Sequence, residues 1–189
     1  MRLYNPTLMR TQKLLALLFP GFEEMEAFIT VDMLRRANIE IVTACTSNAL
    51  EVCGAHAIQC KADQRLEDIH LEDFDGVFIP GGSGVFSQNN ETVLNVIRYF
   101  YNANKWIAAI CAAPILLKAA GCLPKNFTAH ACVADQLTGC NNTLNVVTDG
   151  HIITSRGPGT AFPFAFELIQ RLTTEEVVLK LKSDIHYEK

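Results

Sequence analysis

A cysteine stands where an apolar segment gives way to a helix start, in Trp106-Ile107-Ala108-Ala109-Ile110-Cys111-Ala112-Ala113-Pro114. A strand that ends on a reactive side chain and turns at once into a helix is the layout of a nucleophile elbow, and proline is tolerated in the first helical turn. Such a strained turn needs small neighbours, here Ala109, Ala112 and Ala113. N–H groups at a helix start favour a thiolate, which predicts a lowered pKa for Cys111 and covalent, nucleophilic chemistry. The bland alternative is that Cys111 is a small buried hydrophobe, as cysteine often is. A second strand end is Val77-Phe78-Ile79-Pro80 followed by Gly81-Gly82-Ser83-Gly84. Glycines permit a sharp turn that aims bare N–H groups into a cleft, as an oxyanion hole requires, so Gly81 and Gly82 are candidates. No Gly-Lys-Ser/Thr follows, so this is not a phosphate-binding loop. Taken alone, the cluster would be a plain turn.

The acid–base candidates are fewer. On the helix after Pro20-Gly21, Phe22, Met25, Ile29 and Met33 fall on one stripe, with Glu26 on its margin and Glu23 and Glu24 pointing away. A carboxylate on such a margin is partly desolvated, which raises its pKa and suits proton transfer. The alternative is a solvated helix glutamate. His130, in Phe127-Thr128-Ala129-His130-Ala131, lies in an apolar segment expected to end a strand near Cys111, as a base or as a satisfied core histidine. Arg156, in Ser155-Arg156-Gly157-Pro158-Gly159-Thr160, reads as part of a cap or turn that could also bind an anionic group near the cleft.

These residues need a scaffold, and the chain spells one out. Leu14–Phe19, Glu40–Ala44, Val77–Ile79 and Trp106–Ile110 read as buried strands, with a short β element over Val52–Lys61. Residues 23–36, 92–103, 113–120, 162–172 and 174–181 read as helices. Asn145–Val147 and Ile152–Thr154 flank Asp149-Gly150, a hairpin signal. Alternation of strand and helix predicts an α/β sandwich with a mostly parallel sheet, whose ligands bind at the carboxyl ends of strands. The first helix carries a second apolar set, Ala27, Phe28, Val31 and Leu34. A helix apolar on both sides is covered on both, so a homodimer is expected.

The 189 residues fit one domain, here residues 11–189, with residues 1–10 as a flexible N-terminal extension. An apolar content of 49% and a mean hydropathy of +0.16 describe a large core. Sixteen Lys+Arg against twenty Asp+Glu, with no basic run, argue against nucleic acid as a partner. The six-residue run Leu14–Phe19 is too short for a membrane span or a signal-peptide core. The seven cysteines are odd in number and lack CxxC spacing, so neither a disulfide framework nor a metal site is expected, and the compartment is expected to be the cytoplasm.

Five ordered motifs together resemble the ThiJ/PfpI superfamily, in particular its small-subunit branch, which includes the Parkinson-disease-associated protein deglycase and its bacterial relatives. They are Pro20-Gly21-Phe22-Glu23-Glu24-Met25-Glu26, Leu34-Arg35-Arg36-Ala37, Ile79-Pro80-Gly81-Gly82, Ala108-Ala109-Ile110-Cys111-Ala112-Ala113-Pro114 and Thr154-Ser155-Arg156-Gly157-Pro158-Gly159-Thr160. The resemblance implies a flavodoxin-like three-layer sandwich, related to class I glutamine amidotransferases, and a homodimer. It matches Cys111 to the family's reactive cysteine, Glu26 to its hydrogen-bonding carboxylic acid and His130 to the nearby histidine. The N–H groups of Gly82 and Ala112 match the oxyanion donors. It further implies cofactor-free glyoxalase or deglycase activity on methylglyoxal-like dicarbonyls or glycated protein side chains. The rival it carries is redox sensing or chaperone action through oxidation of Cys111. The protease-like branch has His after the cysteine; Ala112 stands there in this chain, which places peptidase or amidase activity last. His56 stands where some deglycase relatives carry a basic residue, so an anion site is not expected there.

Overall fold

The computed structural model describes residues 11–188, and the N-terminal extension expected over residues 1–10 lies outside them. Among the described residues, nine strands and six α-helices follow one another as β1 (Lys13–Leu18), α1 (Glu24–Arg36), β2 (Glu40–Cys45), β3 (Glu51–Cys53), β4 (Gln59–Lys61), β5 (Gln64–Arg65), β6 (Gly76–Ile79), α2 (Glu91–Asn102), β7 (Trp106–Ile110), α3 (Pro114–Ala119), α4 (Ala131–Ala134), β8 (Val146–Asp149), β9 (Ile152–Ser155), α5 (Ala161–Leu172) and α6 (Glu175–Asp184). Seven strands form one sheet in the order β5-β2-β1-β6-β7-β9-β8, while β3 and β4 make a separate hairpin. All neighbours in the large sheet are parallel except β8 and β9. The α/β sandwich expected from the sequence is therefore observed.

The apolar runs explain the sheet's centre. Leu14, Leu15, Ala16 and Leu17 of β1, Phe78 and Ile79 of β6, and Ile107 to Ile110 of β7 are buried almost completely. Side chains alternate between the two faces of a strand, so a run apolar at every position requires a cover on both sides. From β1 the chain crosses to β2 on one side, and from β6 to β7 on the other. Right-handed crossovers in opposite directions place α1 and α2 on opposite faces of the sheet. Between β1 and β6 the order reverses, and a crevice opens at such a switch point beyond the strand ends. The register aligns those ends: Leu18 pairs with Cys45, Ile79 with Ala109, and Ile110 with Ser155.

Local signals set the helix limits. Glu23 caps α1, its Oε2 accepting the Glu26 N–H at 2.7 Å, and Arg35 and Arg36 close the helix where cations offset its dipole. Asn90 caps α2 by accepting the Val93 N–H at 3.2 Å.

Two expectations change. On α1 the buried set is Glu24, Glu26, Ala27, Thr30, Val31, Met33 and Leu34, whereas Met25 is 53% and Phe28 39% exposed. With two apolar stripes, periodicity alone could not say which one the sheet and α5 would cover. Glu23 and Glu24 do not point away into solvent; both are buried where the β3–β4 hairpin folds over them. Second, residues 127–130 form no strand. Both edges of β7 are occupied, by β6 and β9, so no ladder is open to that segment. The strand β5 and the helix α4, of two and four residues, were not foreseen because elements so short carry no period.

Candidate active site

Cys111 follows the last residue of β7, and its φ is +64°, a conformation L-residues avoid at a cost of roughly 1–2 kcal/mol. The main chain holds it there from both sides. The Cys111 N–H donates to Ser155 O at 2.8 Å, and the His130 N–H donates to Cys111 O at 2.8 Å. The strain turns the thiol out of the strand direction and toward the loop after β6, as an elbow should. The side chain is nevertheless sheltered, with the residue 8% exposed.

Glu26 reaches the same point from α1 and is fully buried. Its Oε2 accepts the Gly81 N–H at 2.6 Å, its carboxyl group is hydrogen-bonded with the Cys111 thiol, and its Oε1 has no partner among the described residues. Burial, foremost, raises its pKa to about 7, against the opposing pull of the Gly81 N–H. The desolvated carboxylate inferred from the helix margin is thus present.

The glycines divide their work differently from the expectation. Gly81 spends its N–H on Glu26, so it holds the acid in place and is not free to bind an oxyanion. A Cβ on Gly81 would lie 2.5 Å from Cys111 Cβ and 2.8 Å from Glu26 Oε2, so only glycine lets the two groups meet. The N–H groups of Gly82 and Ala112 are the ones directed at the Cys111 sulfur. Gly82 has φ +104°, and a Cβ there would lie 2.3 Å from Gly21 O.

The lowered pKa expected for Cys111 is not found. Burial pushes the thiol up, the neighbouring Glu26 pushes the same way, and the N–H groups of Gly82 and Ala112 pull against them. The helix-start effect is real but outweighed. Two acids in one dry pocket resist losing both protons, so the pair behaves as one unit. When that pair holds a single proton on Glu26, the sulfur faces a hydrogen-bond donor instead of a carboxylate, and the N–H groups then favour the thiolate.

His130 caps α4, its Nδ1 accepting the Cys132 N–H at 3.1 Å. The neutral ring therefore carries its proton on Nε2. A Cβ on Gly157 would lie 3.2 Å from His130 Cδ2, 3.9 Å from Cys111 Sγ and 3.9 Å from Glu26 Oε1, so Gly157 adjoins all three. Beside them opens a cavity of about 260 Å³, lined by His130, Asn145, Arg156, Gly157 and Thr160 among others. Cys111, Glu26, His130, Gly82 and Ala112 thus converge, and Arg156 lines the adjoining space.

His56 stands apart from that convergence. Its N–H and Nδ1 meet Glu24 at 2.6 and 2.8 Å, and the hydrogen bond to Glu24 raises its pKa. Two buried carboxylates, Glu23 and Glu24, lie beside it. Glu23, Glu24 and His56 are also the one group among the described residues whose ligand atoms lie close enough together, within 4.8 Å, to hold a metal ion. Their oxygens already anchor the α1 cap and the hairpin turn. Sequence reasoning missed Ser155 O, the His130 N–H and Gly157, because main-chain contacts leave no mark on residue type.

Residues 12–171 match the DJ-1/PfpI family. The chain is 34% identical to the Glutathione-independent glyoxalase DJR-1.2 of Caenorhabditis elegans, over 89% of this chain and 93% of the relative. It is 34% identical to Protein DJ-1 homolog B of Arabidopsis thaliana over 90% of itself, but spans only 40% of that longer protein. The crystal structure of Drosophila melanogaster DJ-1beta superimposes with a TM-score of 0.90 at 33% identity, covering 95% of this chain and all of that one.

Proposed function

The chain belongs to the DJ-1/PfpI family, and from that premise we propose that it is a cysteine-dependent, glutathione-independent glyoxalase or deglycase acting on methylglyoxal-like dicarbonyls or their early adducts on protein side chains. The observation that carries the reading is the convergence of a strained, sheltered Cys111, a fully buried Glu26 and two N–H groups aimed at the sulfur.

The Cys111 thiolate attacks the aldehyde carbon, and the carbonyl oxygen becomes the hydroxyl of a hemithioacetal after taking the proton from Glu26. Gly82 and Ala112 N–H groups stabilise the oxyanion on the way. Glu26, now a carboxylate, removes the proton from that carbon and returns one to the adjacent carbon, while the hydroxyl proton passes to the neighbouring carbonyl oxygen with His130 assisting. One carbon is oxidised and its neighbour reduced, so no external redox partner is needed. Water then cleaves the resulting thioester to a 2-hydroxyacid and the free thiol. Apart from that water, the proposed steps use only groups of the protein, so no cofactor is part of the proposal.

The test is D-lactate formation from methylglyoxal without glutathione. Turnover well above the buffer rate is expected. A rate equal to buffer overturns the glyoxalase reading and leaves oxidation of Cys111, by mass spectrometry after mild peroxide, as the function to examine.

The proposal includes a homodimer through the outer face of α1, where Met25 and Phe28 remain exposed. Sedimentation should give twice the 20.9 kDa chain mass, and Phe28→Asp should shift it to the monomer; a wild-type monomer at micromolar concentration would remove this part. Among the described residues no helix is long and apolar enough to cross a membrane. The seven thiols fit the reducing cytoplasm as the working compartment.

A further inference from the structure

We propose that the cavity beside Cys111 is a subsite for a carboxylate carried by the substrate, bound by Arg156, so that the preferred substrates are 2-oxoaldehydes with an anionic tail. This rests on the dicarbonyl chemistry above and names its substrate class. Three observations carry it.

The first is an unspent cation. Arg156 lines the cavity, and no carboxylate pairs with its guanidinium among the described residues. Other arginines of the chain, such as Arg35, Arg36, Arg65, Arg98 and Arg171, are each tied to an acid. No acidic residue lines the cavity. A planar guanidinium matches a carboxylate with two parallel hydrogen bonds.

The second is placement. The Arg156 N–H donates to Asn145 O at 3.3 Å, and Ser155 Oγ binds the same carbonyl at 2.8 Å, so the Arg156 backbone is fixed directly after the residue that pins Cys111. Asn145 also lines the cavity, and its side-chain amide makes no hydrogen bond among the described residues, leaving a second donor for the anion.

The third is the unpartnered Oε1 of Glu26, fully buried, which approaches Gly157 on the cavity wall. A buried oxygen without a partner marks where a substrate group belongs. The reacting carbons therefore sit beside Cys111 Sγ and Glu26 Oε1, on the Gly157 side, and the tail extends past Gly157 toward Arg156. Space of about 260 Å³ is several times what methylglyoxal needs, and methylglyoxal has nothing to offer a guanidinium.

The experiment compares 4,5-dioxopentanoate with the uncharged 2-oxohexanal, of similar length, in the wild type, Arg156→Met and Arg156→Lys. The wild type is expected to favour the anionic substrate in kcat/KM by about tenfold or more, mainly through KM. Arg156→Met should collapse that ratio toward one, and Arg156→Lys should restore part of it. A second readout does not need turnover: 4-oxopentanoate, which lacks the aldehyde, should slow alkylation of Cys111 by iodoacetamide in the wild type but not in Arg156→Met. Protection without turnover would sustain the anion subsite while the glyoxalase reading fails. Equal kcat/KM for both substrates in the wild type, together with no protection, overturns the subsite.

Discussion

Cys111→Ser is expected to lower kcat/KM for methylglyoxal by ~10³-fold or more while leaving the melting temperature nearly unchanged. A serine hydroxyl replaces the sulfur with little change of volume, so neither the packing of an 8%-exposed side chain nor the φ of +64° is disturbed further. What is lost is ionisation. With the shared proton on Glu26, the N–H groups of Gly82 and Ala112 favour a thiolate, but an alkoxide lies far outside their reach. Lactate formation by the purified variant, with a melting curve beside it, separates the chemical effect from misfolding. Retention of a tenth of the wild-type rate would remove Cys111 as the nucleophile.

Glu26→Gln should cost about 10²-fold in kcat, because the amide can accept the Gly81 N–H yet cannot carry a proton between carbons. The same substitution has a stability signature with a definite sign. Folding raises the Glu26 pKa from about 4.5 to about 7, so the folded state binds a proton that the unfolded state releases. Stability from this group is intact below pH 4.5 and is lost as pH rises to 7, on the order of 3 kcal/mol in all. Glutamine has no such dependence. The melting temperature of Glu26→Gln relative to wild type should therefore climb between pH 5 and pH 8. A difference that stays flat over that range would mean that burial does not protonate Glu26.

Much of this arrangement is readable along the chain. The strands β1, β6 and β7 announce themselves as uninterrupted apolar runs, because a strand covered on both faces has no polar positions to spare. Cys111 is legible for a related reason: an apolar strand, a cysteine and small residues before a proline leave few geometries open. Glu26 shows itself through its angle on a helix. What the sequence hides lies in contacts between distant segments. Gly81 and Glu26 are 55 residues apart, and the bond that joins them redirects Gly81 from the oxyanion to the acid. The covered face of α1 depends on α5 and the β3–β4 hairpin, far away in sequence. The raised pKa of Cys111 likewise comes from burial and then from the neighbouring Glu26, both set by segments distant in sequence.

The groups that hold Cys111 and Glu26 are almost all main-chain: Ser155 O, the His130 N–H, and the N–H groups of Gly81, Gly82 and Ala112. A catalytic frame built from peptide groups is indifferent to most side chains around it. Selection on the chemistry then restricts a few positions, where a thiol, an acid or the absence of a Cβ is required, and leaves the remainder to drift. Residues elsewhere can change identity without dismantling the main-chain frame around Cys111 and Glu26. Arg156, on the wall of the cavity, contributes no group to that frame, so a change there would test the proposed subsite without disturbing the geometry of Cys111 and Glu26.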